Sequence, residues 1–170
     1  MAAGHIFRLA TELDLDRKYE ILTVVNNAYL DDGWATANYF VAGNRSTLAE
    51  IEMYLKNDKE RFFIALNAEQ QVVGTVKVEC RDAKAFVGIL AVRADCQSKG
   101  IARALMNIAL LDAQTRGCVA AVMDVVDSRT SLLAWYYRLG FQDTGVREDM
   151  YHEKIIGGHV RMIILEKPLG

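Results

Sequence analysis

An apolar run that breaks into a polar loop and then opens a helix is the feature that most constrains how this chain can fold. The run ends at Val92, and the polar loop ends at Gly100. Apolar residues then recur at the spacing of one helix face: Ile101, Leu105, Ile108 and Leu111. Gly117 stands where a glycine commonly ends a helix. Backbone N–H groups at a helix start lack intrahelical partners and lie at the positive end of the helix dipole. The pattern therefore predicts a site for phosphate oxygens, and a pyrophosphate is the expected ligand.

The spacing of this loop differs from that of other phosphate-binding loops. The chain has no Gly-x-x-x-x-Gly-Lys-Ser/Thr string, and no Gly-x-Gly-x-x-Gly string opens a strand-to-helix turn, which disfavours nucleoside triphosphates and dinucleotides. The string Gln97-x-x-Gly100-x-Ala102 instead resembles the Gln/Arg-x-x-Gly-x-Gly/Ala signature of the GNAT acetyltransferase superfamily. Members of that superfamily use the signature to hold the pyrophosphate of acetyl-coenzyme A. Taken alone, the string also suits an ordinary loop that caps a helix.

A second stretch, about thirty residues downstream, strengthens the resemblance. Residues 132–141 follow the β-rich run 119–126 and end in Gly140-Phe141. This is similar to the second GNAT signature, in which a strand, a turn and a helix with Leu/Phe-Tyr precede a Gly-Phe that returns the chain to the sheet. The chain is thereby identified as a member of the GNAT superfamily over the region from about Ala85 to Phe141.

Length and composition agree with one enzyme domain. A chain of 170 residues, 52% of them hydrophobic and only one a proline, is expected to form a single domain over residues 1–170 with a sizeable core. The net charge is −2, from 20 basic and 22 acidic residues, so we expect no nucleic-acid partner. The N-terminus lacks the apolar core of a signal peptide, and no segment approaches the ~20 apolar residues of a membrane span. We therefore expect a soluble, cytoplasmic protein without a membrane partner, and a homodimer remains open.

The cysteines and histidines show no metal-binding pattern. Cys80, Cys96 and Cys118 are odd in number and have no Cys-x-x-Cys spacing, so reduced thiols are expected rather than a disulfide framework or a zinc site. The three histidines also lack ligand spacing, and no metal is expected. Cys96 lies just before a predicted helix start, where a thiolate would be stabilised. It is therefore either a reactive thiol or a bystander in the loop.

The remaining pattern predicts an α/β (α+β) fold. We expect a GNAT-like mixed, mostly antiparallel central sheet of about seven strands, flanked by about four helices. The first helix should run from about Asp16 to Leu30, with one apolar face: Leu15, Tyr19, Leu22 and Tyr29. Thr47 and Glu50 form a capping-box pattern for the second helix. The predicted strands cover residues 5–10, 62–66, 72–80, 85–92 and 119–126, and a last hairpin covers 144–153 and 160–165.

The resemblance assigns the coenzyme to backbone groups around the loop. Leu90, Ala91 and Val92 would pair with the pantetheine arm and donate to the thioester oxygen, in the manner of an oxyanion hole. Gln97 belongs to the signature, and the backbone groups that would cradle the pyrophosphate are those of Ser98, Lys99, Gly100, Ile101, Ala102 and Arg103. Arg129 stands where many members carry an asparagine. It would reach a coenzyme phosphate or an acidic substrate, or remain a solvated surface arginine.

Tyr136 is the predicted catalytic acid. It precedes Gly140 by four residues, which matches the family tyrosine that often protonates the coenzyme thiolate. A fixed phenol suits that role because it can reach the sulfur in a largely apolar site. Trp135 and Tyr137 flank it, so the three residues are alternatively core aromatics of one amphipathic helix.

The general base is open at this stage. Phe86 stands near the position at which the lysine-modifying branch of the family carries a glutamate base. The remaining candidates are Glu79, Asp124 and His152, because an amine with a pKa near ~10 must lose a proton before it attacks the thioester. A buried Asp124 would have a raised pKa and would mark a site. An outward-facing Asp124 would be an ordinary surface residue.

The acceptor is predicted from two clusters of acidic and aromatic residues, which suit a cationic amine. The first cluster contains Asp31, Asp32 and Trp34, and the second contains Asp149 and Tyr151.

The predicted function is acetyl-CoA-dependent N-acetylation of the primary amine of a small molecule, by direct attack in a ternary complex. The alternatives are a protein lysine or N-terminal acetyltransferase and a non-catalytic acyl-CoA-binding sensor module.

Overall fold

A seven-stranded sheet with helices on both faces forms the protein. The structure is a computed structural model and describes residues 4–30, 45–149 and 160–170. The strands are β1 (Ile6–Leu9), β2 (Glu60–Leu66), β3 (Val72–Arg81), β4 (Lys84–Val92), β5 (Ala120–Val126), β6 (Gln142–Asp149) and β7 (Arg161–Pro168). The helices are α1 (Lys18–Leu30), α2 (Leu48–Lys56), α3 (Ile101–Thr115) and α4 (Thr130–Arg138), with short 3-10 turns at Glu12–Arg17 and Ala94–Cys96.

The order of strands in the sheet is β1-β2-β3-β4-β5-β7-β6. All neighbouring strands are antiparallel except β4 and β5, which are parallel. Strand β7 lies between β5 and β6, so the last hairpin extends the sheet beyond the parallel pair. The predicted mixed, mostly antiparallel sheet flanked by four helices is confirmed.

Two apolar clusters cover the two faces of the sheet. On one face, α1 and α2 pack on β2 and β3 through side chains such as Ile21, Ile51 and Ile64. On the other face, α3 and α4 pack through side chains such as Leu105 and Leu133. Strand residues alternate between these clusters, as a pleated sheet requires. Each functional position described below can therefore be assigned to one face.

Local sequence signals explain the helix ends. The capping box predicted for α2 is present, because the Thr47 hydroxyl accepts from the Glu50 N–H and the Glu50 carboxylate accepts from the Thr47 N–H. Before α1, Asp14 accepts two hydrogen bonds from the Arg8 guanidinium, at 2.9 and 2.7 Å. The Arg8 side chain holds the pKa of the nearly buried Asp14 carboxyl below its usual value.

Two predicted helix faces are wrong in part. Helix α1 begins at Lys18, and Tyr19 is 65% exposed; the buried face instead consists of Ile21, Val24, Val25 and Ala28. In α3, Leu111 is 63% exposed, because the buried stripe shifts to Met106 and Leu110. Both stripes satisfy helical spacing, so only the position of the sheet decides between them. Among the described residues, no helix is long and apolar enough to cross a membrane.

Candidate active site

Strands β4 and β5 separate in the middle of the sheet. They pair at only three positions, the last being Phe86 with Val122. Beyond that pair β4 continues to Val92 and β5 to Val126. On their outer sides, both strands stay paired with β3 and β7. The result is a cleft within the sheet whose walls are backbone edges.

A bulge in β4 lies at this cleft. Ile89 has a φ of +51°, and the β3–β4 register shifts between Thr75 and Lys77. The fully buried Thr75 hydroxyl donates to the Ile89 carbonyl at 2.9 Å. This hydrogen bond fixes the direction of one carbonyl in the bulge. The backbone of Leu90 and Ala91, predicted to bind the pantetheine arm, follows directly.

The loop after β4 has a backbone suited to an anion. Ser98 has a φ of +64° and Gly100 a φ of +80°. Successive turns of this kind direct N–H groups toward a common point. The Gln97 side chain donates to the Val92 carbonyl at 3.3 Å and so ties the loop to the end of β4. A Cβ built on Gly100 meets no atom within 4 Å, so this glycine faces open space.

Helix α3 starts without a side-chain cap. Its first intrahelical hydrogen bond runs from the Ala104 N–H to the Gly100 carbonyl, which leaves the preceding N–H groups directed out of the helix start. No side chain of the described residues caps this start, and its first turn holds no acidic residue. The start of α2, by contrast, is capped by its own Thr47 and Glu50. The start of α3 therefore has hydrogen-bond donors and positive potential for an external anion.

A cavity of about 440 Å³ lies against this helix start. One wall consists of the end of β4, the loop and the first turn of α3; the other wall is one face of α4. The lining residues are Val92, Cys96, Gln97, Ser98, Gly100, Ile101, Ala102, Arg103, Ser131, Trp135 and Arg138. Two of these lining residues, Arg103 and Arg138, carry guanidinium groups. Its charge and its hydrogen-bond donors fit phosphate groups.

Most, but not all, of the residues predicted to bind the coenzyme line the cavity. Seven of the predicted residues line it: Val92, Gln97, Ser98, Gly100, Ile101, Ala102 and Arg103. Leu90 and Ala91 are buried in β4 beside the cleft, and Lys99 is exposed in the loop. Arg129 lies at the start of α4, outside the cavity lining.

The α4 wall is the part that sequence reasoning missed. Ser131, Trp135 and Arg138 are spaced by four and three residues, so they lie on one helix face. The spacing is present in the sequence, but it indicates a common face only when the bounds of α4 are known. Without them, Trp135 is equally well explained as a core aromatic beside Tyr136.

Tyr136 is buried beside the cavity wall. It is 5% exposed and makes edge-on ring contacts with Trp135, at 5.0 Å between centroids, and with Phe141, at 5.9 Å. It does not line the cavity, whereas its neighbour Trp135 does. The neighbouring Tyr137 is 42% exposed. Tyr136 thus combines a core position with proximity to the site.

Two of the candidate bases, Glu79 and Asp124, are among the described residues, and both lie on the same face of the sheet. Cys80 and Met123 belong to the α3 cluster, so their strand neighbours Glu79 and Asp124 point to the α1 face. Glu79 forms an ion pair with Arg81 at 3.3 Å. Asp124 is exposed, two residues beyond the last β4–β5 pair. The buried Asp124 that would have marked a site is therefore not found, and Asp124 is instead an accessible carboxylate at the cleft.

The acceptor cluster is described only in part. Asp149 is exposed at the end of β6, opposite Arg161 of β7. The other predicted acceptor residues, Asp31, Asp32, Trp34 and Tyr151, lie outside the described residues, as does His152.

Cys96 is a buried thiol of the cavity wall. Burial raises its pKa, and its hydrogen bond to the Asp95 carboxylate raises the pKa further. The stabilised thiolate considered for this position is therefore not supported. The structure favours the bystander interpretation of Cys96.

Comparisons with known proteins agree with this arrangement. A sequence profile of the acetyltransferase (GNAT) domain matches residues 58–143. The chain is 26% identical, over 117 residues, to the ribosomal protein bS18-alanine N-acetyltransferase of Salmonella typhimurium. That alignment covers 68% of this chain and 78% of the relative.

Solved structures share the fold. The ribosomal-protein-S18-alanine N-acetyltransferase from Escherichia coli is 17% identical with a TM-score of 0.73, over 98% of this chain and 94% of that chain. An N-acetyltransferase from Staphylococcus aureus Mu50 is 18% identical with a TM-score of 0.75, over 99% and 100% of the two chains. The matched profile extends from before β2 to the start of β6 and includes the cleft, the loop and α4. The chain therefore belongs to the GNAT family of acetyltransferases, whose cosubstrate is acetyl-CoA, and it is an N-acetyltransferase.

Proposed function

We propose that this enzyme acetylates a primary amine by direct attack of the amine on acetyl-CoA in a ternary complex, and that the amine is the N-terminal α-amino group of a protein. The observation that supports use of acetyl-CoA most strongly is the uncapped start of α3 beside the β4–β5 cleft, with one cavity between the loop and α4. Acetyl-CoA supplies the acetyl group as a thioester.

The cavity residues hold the phosphates in this proposal. The N–H groups of the loop and of the first α3 turn donate to the pyrophosphate, and Gly100 permits the close approach. Arg103 and Arg138 line the same cavity from α3 and α4, and their guanidinium groups pair with phosphate oxygens. The backbone of Leu90, Ala91 and Val92 orients the thioester at the cleft, where aligned N–H groups would stabilise the developing oxyanion.

Two side chains handle protons. Asp124 is accessible at the cleft, on the face opposite α3, so it can accept a proton from an amine that enters from that side. Tyr136 lies among apolar neighbours next to the cavity wall and donates a proton to the departing thiolate. Glu79 is the weaker base candidate because Arg81 already forms an ion pair with it.

The choice of an α-amine rests on two considerations. The curated relative acts on the alanine of a ribosomal protein, as its name states. An α-amine has a pKa of about 7.7–8.0, against about 10.4 for a lysine side chain, so a far larger fraction is neutral at pH 7. An exposed carboxylate such as Asp124 is then a sufficient base. A lysine acceptor would require stronger activation.

A small-molecule amine is the second candidate. It follows from the acidic and aromatic residues of the sequence, of which Asp149 is described and is exposed near the end of β6. Carboxylates beside aromatic rings attract cationic amines. This candidate predicts a preference for polyamines or amino sugars over peptides.

The deciding experiment measures free-thiol release from acetyl-CoA with matched acceptors. Two peptides share one sequence that begins with alanine and contains an internal lysine; one has a free terminus, and its control has a blocked terminus. We expect release with the first and none with the second. Release only with polyamines, amino sugars, amino acids or arylalkylamines would establish the second candidate. Equal release with both peptides would indicate lysine acetylation and overturn the proposed acceptor.

A further inference from the structure

Two cysteines far apart in the sequence meet at the end of the sheet opposite the cavity. The Cys80 sulfur of β3 and the Cys118 sulfur just before β5 lie 2.8 Å apart, although 38 positions separate them in the chain. Both are free thiols. A disulfide requires about 2.05 Å between its sulfurs, so closing the bond needs an approach of only about 0.8 Å.

Backbone hydrogen bonds hold both residues in place. Cys80 pairs with Ala85 of β4. The Cys118 N–H donates to the Ala113 carbonyl at the end of α3, at 3.0 Å. The adjacent Val119 N–H donates to the Ala83 carbonyl of the β3–β4 turn, at 2.7 Å. The two sulfurs therefore approach each other from backbone segments that are held by hydrogen bonds.

We propose that Cys80 and Cys118 form a covalent modification site, at which an oxidant of the peroxide class joins the two thiols into a disulfide. The Cys80 sulfur attacks the O–O bond of hydrogen peroxide, forming a sulfenic acid and releasing one water after proton transfer. The Cys118 sulfur then attacks the sulfenic sulfur, forming the S–S bond and releasing a second water. The two thiols lose two electrons in total, and the peroxide gains them.

The two thiols differ in access. Cys118 is 4% exposed, and Cys80 is partly exposed, so the oxidant meets Cys80 first. Burial and the neighbouring Cys118 raise the pKa of Cys80 to about 11; the nearby Arg116 lowers it and Asp112 raises it by smaller effects. Little thiolate is present at neutral pH, so the first step is slow there. The second step benefits from a partner thiol already in contact.

The cross-link lies away from the coenzyme cavity. Cys118 follows the C-terminal end of α3, whereas the cavity lies at the start of that helix. Fifteen helical residues at about 1.5 Å each separate the two ends by roughly 22 Å. The bond would join β3 to the start of β5 at the paired end of β4 and β5. It should therefore stabilise the fold without changing coenzyme binding.

Hydrogen peroxide treatment of the purified protein, followed by peptide mapping without reduction, tests the site. We expect a linked peptide pair containing Cys80 and Cys118, a fall from three to one in the thiols titrated after unfolding, and a Tm higher by about 5 °C or more. A reducing agent should reverse all three changes. The KM for acetyl-CoA should not change.

Serine variants provide the matched controls. Cys96→Ser should still form the cross-link, whereas Cys80→Ser and Cys118→Ser should not. Mapping of the unsubstituted protein remains decisive if a variant fails to fold. A linked peptide that contains Cys96, or three thiols retained after oxidation, would overturn the proposal.

Discussion

Gly74 of β3 lies directly beneath the first turns of α3, and its replacement by alanine should displace that helix start. A Cβ at this position would lie 2.9 Å from the Leu105 Cδ1 and 3.0 Å from the Ile101 Cγ2. It would also lie 3.3 Å from the Ala91 carbonyl oxygen. Both side chains are fully buried, at 0% and 1% exposure, so neither has room to rotate away. The helix start must move outward instead.

The expected magnitude follows from the cost of overpacking a core, which is about 1–3 kcal/mol. For a chain of this length each kcal/mol lowers the Tm by roughly 2–4 °C, so Gly74→Ala should lower it by about 2–12 °C. Because the displaced turn includes the proposed phosphate donors, the KM for acetyl-CoA should rise several-fold.

Thermal unfolding and steady-state kinetics of two variants test this reasoning. Gly88→Ala is the matched control, since its Cβ would meet only the Lys77 Cε, at 4.0 Å, in the neighbouring strand. The control should keep the Tm of the unsubstituted protein. A Gly74→Ala protein with a Tm within about 1 °C of that value and an unchanged KM would refute the argument.

Substitutions at four further positions give additional tests. Tyr136→Phe should lower kcat by about 10²-fold while the KM for acetyl-CoA stays near its original value, because the ring is kept and the proton donor is lost. An unchanged kcat would remove this residue from the mechanism. Asp124→Asn should lower kcat/KM for the acceptor, with a smaller loss above pH 8, where the α-amine is already neutral; equal losses across a kinetic pH profile would argue against a base. Asp14→Asn should cost about 1–3 kcal/mol of the free energy of unfolding at pH 7. Arg8 lowers the pKa of Asp14 in the folded protein, so the stabilisation is fully present above the unfolded pKa of ~3.9 and disappears as the pH falls through the lower folded pKa. Urea unfolding at pH 3 should therefore show a smaller difference between the two proteins in the free energy of unfolding. Thr75→Val, which leaves the Ile89 carbonyl without its buried donor, should reduce kcat and stability, and Thr75→Ser should restore both in the same assays.

Local features of the fold could be predicted from the sequence. The capping box of α2 depends on two residues three positions apart, and the loop that ends at Gly100 depends on a short polar break. The strand and helix types followed from periodicity. The apolar stripes of α1 and α3 could be predicted only in part, because Tyr19 and Leu111 satisfy the same spacing as the buried residues.

Features that depend on distant segments could not be predicted. Asp124 is exposed because β5 separates from β4 after only three paired positions. No sequence signal marks the point at which the two strands separate. The insertion of β7 between β5 and β6 is likewise a matter of packing order. Cys80 of β3 and Cys118, just before β5, contact each other although β4 lies between those two strands in the sheet. Cysteine spacing alone indicated no partner for either.

Calorimetric titration of acetyl-CoA into three proteins tests whether the loop that ends at Gly100 holds the coenzyme pyrophosphate. Asparagine tolerates a positive φ, so Gly100→Asn retains the loop backbone and adds bulk where the coenzyme pyrophosphate should lie. Gly117→Asn is the matched control, because that glycine also has a positive φ and open space, but at the other end of α3. We expect an affinity at least tenfold weaker for Gly100→Asn, about 1.4 kcal/mol, and no change for the control. Equal affinities in all three proteins would contradict this expectation.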